Sequence, residues 1–138
     1  VAEELSMAAR ILIIEDNDSS RELVKYLVQA AGHTSLEAVD GAAGVRAALA
    51  ASPDLVLCDL QMPIQNGFEV LQALRQNPLW RRVPLIAVSA LSMVSDRERA
   101  LAAGFDEHIT KPIVPETFVA QIEGFLPPDL RAPAKAAG

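Results

Sequence analysis

Three four-residue apolar runs rich in Leu, Ile and Val punctuate the chain: residues 11–14 (Ile-Leu-Ile-Ile), 55–58 (Leu-Val-Leu-Cys) and 85–88 (Leu-Ile-Ala-Val). Each is too short for a buried helix and is bounded by polar or turn-forming residues, the pattern of a strand covered on both faces. Two more mixed runs, 34–39 and 106–110, read as weaker strands. Between the runs the period changes. Leu23, Val24, Leu27, Val28 and Ala31 recur at helical spacing, with a capping box at Ser19-x-x-Glu22 and Gly32 at the C′ position. After the Asp40-Gly41 turn, residues 42–51 form an Ala-rich helix in which Gly44 is a mild cost and which Ser52-Pro53 ends. Asn66 caps a helix carrying Phe68, Val70, Leu71 and Leu74 that stops at Asn77-Pro78. Ser95-x-x-Glu98 offers a second capping box, for a helix ending at Gly104. Pro115 opens a last helix, with Phe118, Ile122 and Phe125 on its buried face.

Five strands alternating with five helices predict an α/β fold, a doubly wound parallel sheet with right-handed crossovers. The 138 residues suit one folded unit, residues 10–126, with an N-terminal extension (1–9) and a Pro/Ala-rich tail (127–138) that has little to bury and is expected to be disordered. Met7 offers an alternative natural start. There is no internal repeat.

Composition narrows the function. The chain is 51% hydrophobic, yet no apolar run approaches the ~18 residues of a membrane span, and no secretory signal opens it. A net charge of -6 without clustered Lys and Arg argues against a nucleic-acid surface. The single cysteine, Cys58, excludes an intramolecular disulfide and a Cys-based zinc site, and suits a reducing cytoplasm. Cys58 lies within an apolar strand and reads as core; His33 reads as a surface residue after a helix end, and Trp80 as a cover over a loop.

The candidate chemistry falls at strand ends. Glu15-Asp16 follows the first strand, Asp59 the third, Ser89 the fourth and Lys111 the fifth. Parallel strands bring these ends to one edge of the sheet, where open α/β folds place their sites. Clustered carboxylates repel unless a cation offsets them. All-oxygen ligation with few protein groups suits Mg²⁺, with Mn²⁺ as an alternative. A carboxylate beside such a cation, with an ammonium and a hydroxyl, suits phosphoryl transfer with Asp59 as nucleophile.

Ile-Ile-Glu15-Asp16-Asn, Asp59-Leu-Gln-Met62-Pro63 with Gly67, Val-Ser89-Ala90 and Lys111-Pro112, in this order, resemble the receiver domain of two-component and phosphorelay response regulators, over roughly residues 10–126. The resemblance implies a flavodoxin-like fold with sheet order 2-1-3-4-5 and helices on both faces. It implies a cytoplasmic signalling domain rather than a turnover enzyme, one that assists its own phosphorylation and dephosphorylation. Asp59 would accept the phosphoryl group from a histidine kinase or histidine phosphotransfer protein. Asp16, Asp59 and the backbone carbonyl of Gln61 would ligate Mg²⁺, with Glu15 acting through water. Ser89 and Lys111 would bind the phosphoryl group.

Two positions depart from the common pattern: Ser89, where Thr is frequent, and His108, where an aromatic switch residue is frequent. A histidine at 108 would make the output sensitive to pH. Gln61 and Leu91 flank the expected path of the hydrolytic water, and an apolar Leu91 predicts a long-lived phospho-form. The first helix (Ser19, Ser20, Glu22, Leu23) and residues 112–115 form the expected kinase-docking surface. The fourth and fifth helices are where a homodimer would form. The Glu-Asp-Asn opening and the connection from Asn77-Pro78 to Arg82-Val83-Pro84 look most like receivers of hybrid kinases and stand-alone phosphorelay regulators. No output domain follows the last helix, so output through a partner protein is expected, unless the chain is part of a larger regulator. A haloacid-dehalogenase-like phosphatase would need an acid where Gln61 stands, and no G-x-G-x-x-G turn supports dinucleotide binding. A pseudo-receiver that is never phosphorylated is the remaining alternative, against which the full acidic set and Lys111 weigh.

Overall fold

The computed structural model describes residues 9–63 and 65–131. Its strands are β1 (Arg10–Ile14), β2 (Thr34–Ala38), β3 (Leu55–Cys58), β4 (Leu85–Ser89) and β5 (Glu107–Thr110). They pair in parallel in the predicted order β2-β1-β3-β4-β5. The helices are α1 (Asp18–Ala30), α2 (Gly41–Ala51), α3 (Gly67–Arg75), α4 (Val94–Ala103) and α5 (Pro115–Glu123).

The apolar runs alternate between two cores, because successive strand residues point to opposite faces. Leu12, Ile14, Val56, Cys58, Leu85 and Ala87 pack with Ala48, Leu71, Leu74, Ala100 and Phe105 on the side of α2, α3 and α4. Ile11, Ile13, Leu55, Leu57, Ile86 and Val88 pack with Val24, Val28, Phe118 and Ile122 on the side of α1 and α5. Both faces of the sheet are thus covered by helices, as a flavodoxin-like fold requires.

The helix starts need two corrections. Asn17, not Ser19, caps α1: its side chain accepts from the Ser20 N–H at 2.8 Å. Glu15 reaches forward to the Asn17 N–H at 3.1 Å, so the loop is held one step earlier than the Ser-x-x-Glu spacing suggests. In α4 the reciprocal bond comes from Asp96, whose carboxylate accepts the Met93 N–H at 3.0 Å, and Ser95 lies inside the first turn. The Asn66 cap is as expected, completed by Glu69 as a full capping box. Asp40 is itself the cap of α2, accepting from the Ala43 N–H. Gly44 has a packing reason: a Cβ there would sit 2.5 Å from the Ile14 side chain, so α2 can lie this close to β1 only with glycine.

Three further readings change. His33 is buried, its Nδ1 accepting the Ala9 N–H at 3.0 Å and its Nε2 2.5 Å from a Glu123 carboxylate oxygen. It ties the start of β1 to the end of α5, on the sheet edge opposite the polar strand ends. Trp80 is a core residue, buried in the cluster with Leu74 and Leu85 rather than lying over a loop. The expectation of disorder from residue 127 fails for 127–131: Pro128–Leu130 form a 3-10 turn, and Leu130 packs against the α1/α5 core. Residues 132–138 and 1–8 lie outside the described residues, while Ala9 is fully buried. Among the described residues no helix is long and apolar enough to cross a membrane.

Candidate functional site

Backbone hydrogen bonds carry the sheet ladder past the ends of the strands and so fix where the polar side chains emerge. Glu15 N–H donates to the Ala38 carbonyl at 3.1 Å, Asp59 N–H to Ile14 at 3.0 Å and Lys111 N–H to Ser89 at 2.8 Å. Asp59 is further crowded from behind by Gly67: a Cβ there would lie 2.5 Å from the Asp59 carbonyl oxygen.

The side chains converge as the strand order predicts. Lys111 Nζ lies 2.6 Å from Glu15 Oε1 and 3.3 Å from Asp59 Oδ2. The other Asp59 oxygen accepts the Gln61 N–H at 3.0 Å, which fixes the carboxylate plane. Glu15 and Asp59 are buried and Asp16 is exposed. One carboxylate oxygen from each of the three lies within 4.8 Å of the others. Burial pushes the Glu15 carboxyl up to about 7; Lys111 opposes the rise and Asp59 adds to it. Burial works against the Lys111 ammonium, but Glu15 and Asp59 outweigh it and raise Lys111 above an ordinary lysine. Three carboxylates and one ammonium leave a pocket of net negative charge, open to water at Asp16. That donor set fits a hard divalent cation that keeps part of its hydration shell.

Ser89 is fully buried, and its hydroxyl is engaged by neighbours other than the acids. It accepts the Leu91 N–H at 3.0 Å and lies 3.5 Å from His108 Nε2. His108 is buried on β5, its carbonyl held by Arg97 of α4 at 3.1 Å while Arg97 also pairs with Glu107. Leu91 is half-buried and lines a cavity of about 570 Å³ with Leu60, Gln61, Met62, Phe68 and Arg99, whose guanidinium lies 4.7 Å over the Phe68 ring. Cys58 is buried in the core, and burial, with the neighbouring carboxylates, pushes its thiol far up, so it stays inert.

The model of the response regulator receiver domain matches residues 11–123. The chain belongs to this family. The polar-differentiation response regulator DivK of Brucella ovis is 33% identical over 120 residues, covering 87% of this chain and 98% of that protein. The chemotaxis protein CheY4 of Vibrio cholerae superposes with a TM-score of 0.81 at 27% identity, over 86% of this chain and 99% of the other. The receiver domain of the Pseudomonas aeruginosa sensor histidine kinase PA1611, solved with a magnesium ion coordinated in its active-site cleft, superposes with a TM-score of 0.79 at 27% identity, over 86% and 97% of the two chains.

In this receiver domain the two segments expected to dock a kinase meet in space. Ser19, Ser20 and Leu23 of α1 line a cleft of about 440 Å³ with Ala90, Lys111, Pro112 and Ile113. The cleft is mostly apolar and opens beside Lys111; Glu22 is not part of its lining. The structure gives roles to three residues to which the sequence assigned none: Asn17, which both caps α1 and holds Glu15; Gly67, which makes room for Asp59; and Arg21, which donates to the Glu15 carbonyl at 2.9 Å. Of these, Asn17 and Gly67 stand in the motifs that carry the resemblance, Asn17 also as a cap-forming residue directly after the acidic pair, whereas Arg21 carried no sequence signal.

His108 also makes a pH prediction. Burial, reinforced by Arg97, lowers its pKa below the ordinary 6.5, against the pull of Asp96 and Glu107. The unfolded chain therefore takes up this proton before the folded one. Stability from this group is whole above pH 6.5 and falls as the pH drops from there toward the lowered folded value. Urea unfolding across this range should show a steeper loss for the wild type than for His108→Phe; equal slopes would exclude it.

Proposed function

We propose that Asp59 of this receiver accepts a phosphoryl group from a histidine kinase or histidine phosphotransfer protein in a Mg²⁺-dependent reaction, and that the phosphorylated domain signals by binding a partner protein. The observation that carries this is the Asp59 carboxylate itself: buried at a strand end, one oxygen held by the Gln61 N–H, the other facing Lys111, with Glu15 and Asp16 beside it. Asp16 and Asp59, with the Gln61 carbonyl and with Glu15 through water, would hold Mg²⁺, and Mn²⁺ would substitute. Bound there, the ion would neutralise charge on the equatorial oxygens of the group in transfer.

This chain's own residues supply the rest. An Asp59 carboxylate oxygen forms the new bond to phosphorus as the phosphorus–nitrogen bond to the donor imidazole breaks, the electron pair leaving with the imidazole. Lys111 moves its hydrogen bonds from the free carboxylates to the phosphoryl oxygens, which carry more charge. Ser89 gives up its present partners, Leu91 and His108, to donate its O–H to the same group. Because His108 and the α4 residue Arg97 are linked through the His108 carbonyl, that exchange reaches the face formed by α4, β5 and α5. That face would bind the output partner or a second copy of the domain. The setting is cytoplasmic, and no nucleic acid is assigned to it.

Incubation with Mg²⁺ and acetyl phosphate should add the mass of one phosphoryl group, and a beryllofluoride complex should shift the amide spectrum around Asp59. Neither change appearing would leave the domain a binding module and overturn the proposal. Lifetime gives a second test. Leu91 lines the same cavity as Met62 and Phe68 and offers no polar group to orient a water. Leu91→Glu or Leu91→Lys should therefore speed loss of the phosphoryl group several-fold in a discontinuous dephosphorylation assay; an unchanged rate counts against this role.

A further inference from the structure

We infer that Arg21 is a positioning residue of the acidic pocket: its guanidinium holds the loop that carries Glu15 and Asp16, and so sets the pocket's affinity for a divalent cation. The inference rests on the metal-binding reading above. Arg21 lies one turn into α1 and points back toward the loop. Nη1 donates to the Glu15 carbonyl at 2.9 Å, Nη2 to Asp18 at 2.6 Å and Nε to Glu37 of β2 at 3.3 Å. The side chain is only 12% exposed, unlike a free surface arginine. Three acceptors in three directions need the planar, multi-nitrogen fork, which a lysine cannot copy.

The bond to the Glu15 carbonyl is what matters for the site. The Glu15 side chain is already fixed at both oxygens, by Lys111 and by the Asn17 N–H. The exposed Asp16 stands next to it and takes its direction from the backbone on either side. Arg21 grips that backbone immediately before Asp16. Its charge cannot be the useful part, since a cation near the pocket opposes metal binding, and Asp18 and Glu37 offset it in place.

Charge and positioning therefore predict opposite signs. Mg²⁺ affinity, measured by isothermal titration calorimetry, should be about fivefold weaker in Arg21→Lys, the size of one net hydrogen bond. Arg21→Gln should also bind more weakly, although losing the positive charge would by itself tighten binding. In the metal-free proteins the backbone amide signals of Asp16 and Asn17 should move. Asp16→Asn serves as the reference for a lost ligand. If the wild type shows no saturable Mg²⁺ binding, the metal reading itself falls. If the wild type binds and Asp16→Asn does not, yet Arg21→Lys stays within twofold of wild type or Arg21→Gln binds more tightly, Arg21 has no positioning role. A lower thermal midpoint with unchanged Mg²⁺ affinity has the same meaning.

Discussion

Asp59→Asn is expected to gain no phosphoryl mass from acetyl phosphate and Mg²⁺ under conditions that label the wild type, while remaining folded. Asparagine keeps the shape of aspartate and an oxygen that can still accept the Gln61 N–H, now bonded at 3.0 Å. What it lacks is a nucleophilic carboxylate oxygen, so the loss should be complete rather than partial. The fold should not suffer, because the substitution removes one of three carboxylates crowded within 4.8 Å. Relief of that repulsion should leave the metal-free variant at least as stable as wild type, or more stable by about 1 kcal/mol. Intact-mass spectrometry and urea unfolding separate the two effects. Labelling of the variant at the wild-type rate would move the acceptor to Glu15 or Asp16. Unfolding of the variant would show instead that the Asp59–Lys111 contact is structural.

The parallel sheet and the meeting of Glu15, Asp16, Asp59 and Lys111 were legible in the chain because they depend on coarse features; the strand order came only with the resemblance to receiver domains. Apolar runs mark the strands, and parallel strands send their polar ends to one edge. The details that were not legible depend on which of several competent residues wins a local contest. Ser19-x-x-Glu22 and Ser95-x-x-Glu98 satisfy the spacing of a capping box. Asn17 wins the first because the Glu15 carboxylate already holds its N–H, and Asp96 supplies the reciprocal bond in the second. Gly44 looks like a flaw in a helix until Ile14 is seen pressed against it. His33 has no periodicity to mark it as buried, since its partners, Ala9 and Glu123, lie far away in the chain. The hydroxyl arm of the site shows the same limit. That Ser89 ends a strand is a local fact. That its hydrogen bonds run to Leu91 and His108 is set by packing between β4, β5 and α4.

Lys111→Met is expected to have the second large effect, and it has two parts of opposite dependence on metal. The ammonium stands between two buried carboxylates, 2.6 Å from Glu15 and 3.3 Å from Asp59. Removing it leaves them facing each other with no cation between. Breaking a fully buried pair costs about 3–5 kcal/mol, and Lys111 keeps a fifth of its side chain in water, so a loss nearer 2 kcal/mol is expected in the metal-free protein at neutral pH. A divalent cation placed among the same carboxylates meets one positive charge fewer, so Mg²⁺ should bind the variant more tightly and recover more of its stability than it does in the wild type. Thermal unfolding with and without Mg²⁺ reads this as a larger metal-dependent rise in midpoint. Phosphorylation should proceed slowly, since the variant keeps Asp59. The phosphoryl group, however, then has no ammonium to pair with, and Ser89 alone must draw the β4 end toward it. The shift of the α4–β5–α5 amide signals expected with beryllofluoride in the wild type should shrink or vanish in Lys111→Met. A full shift in the variant would mean that Ser89 and His108 carry the signal without Lys111.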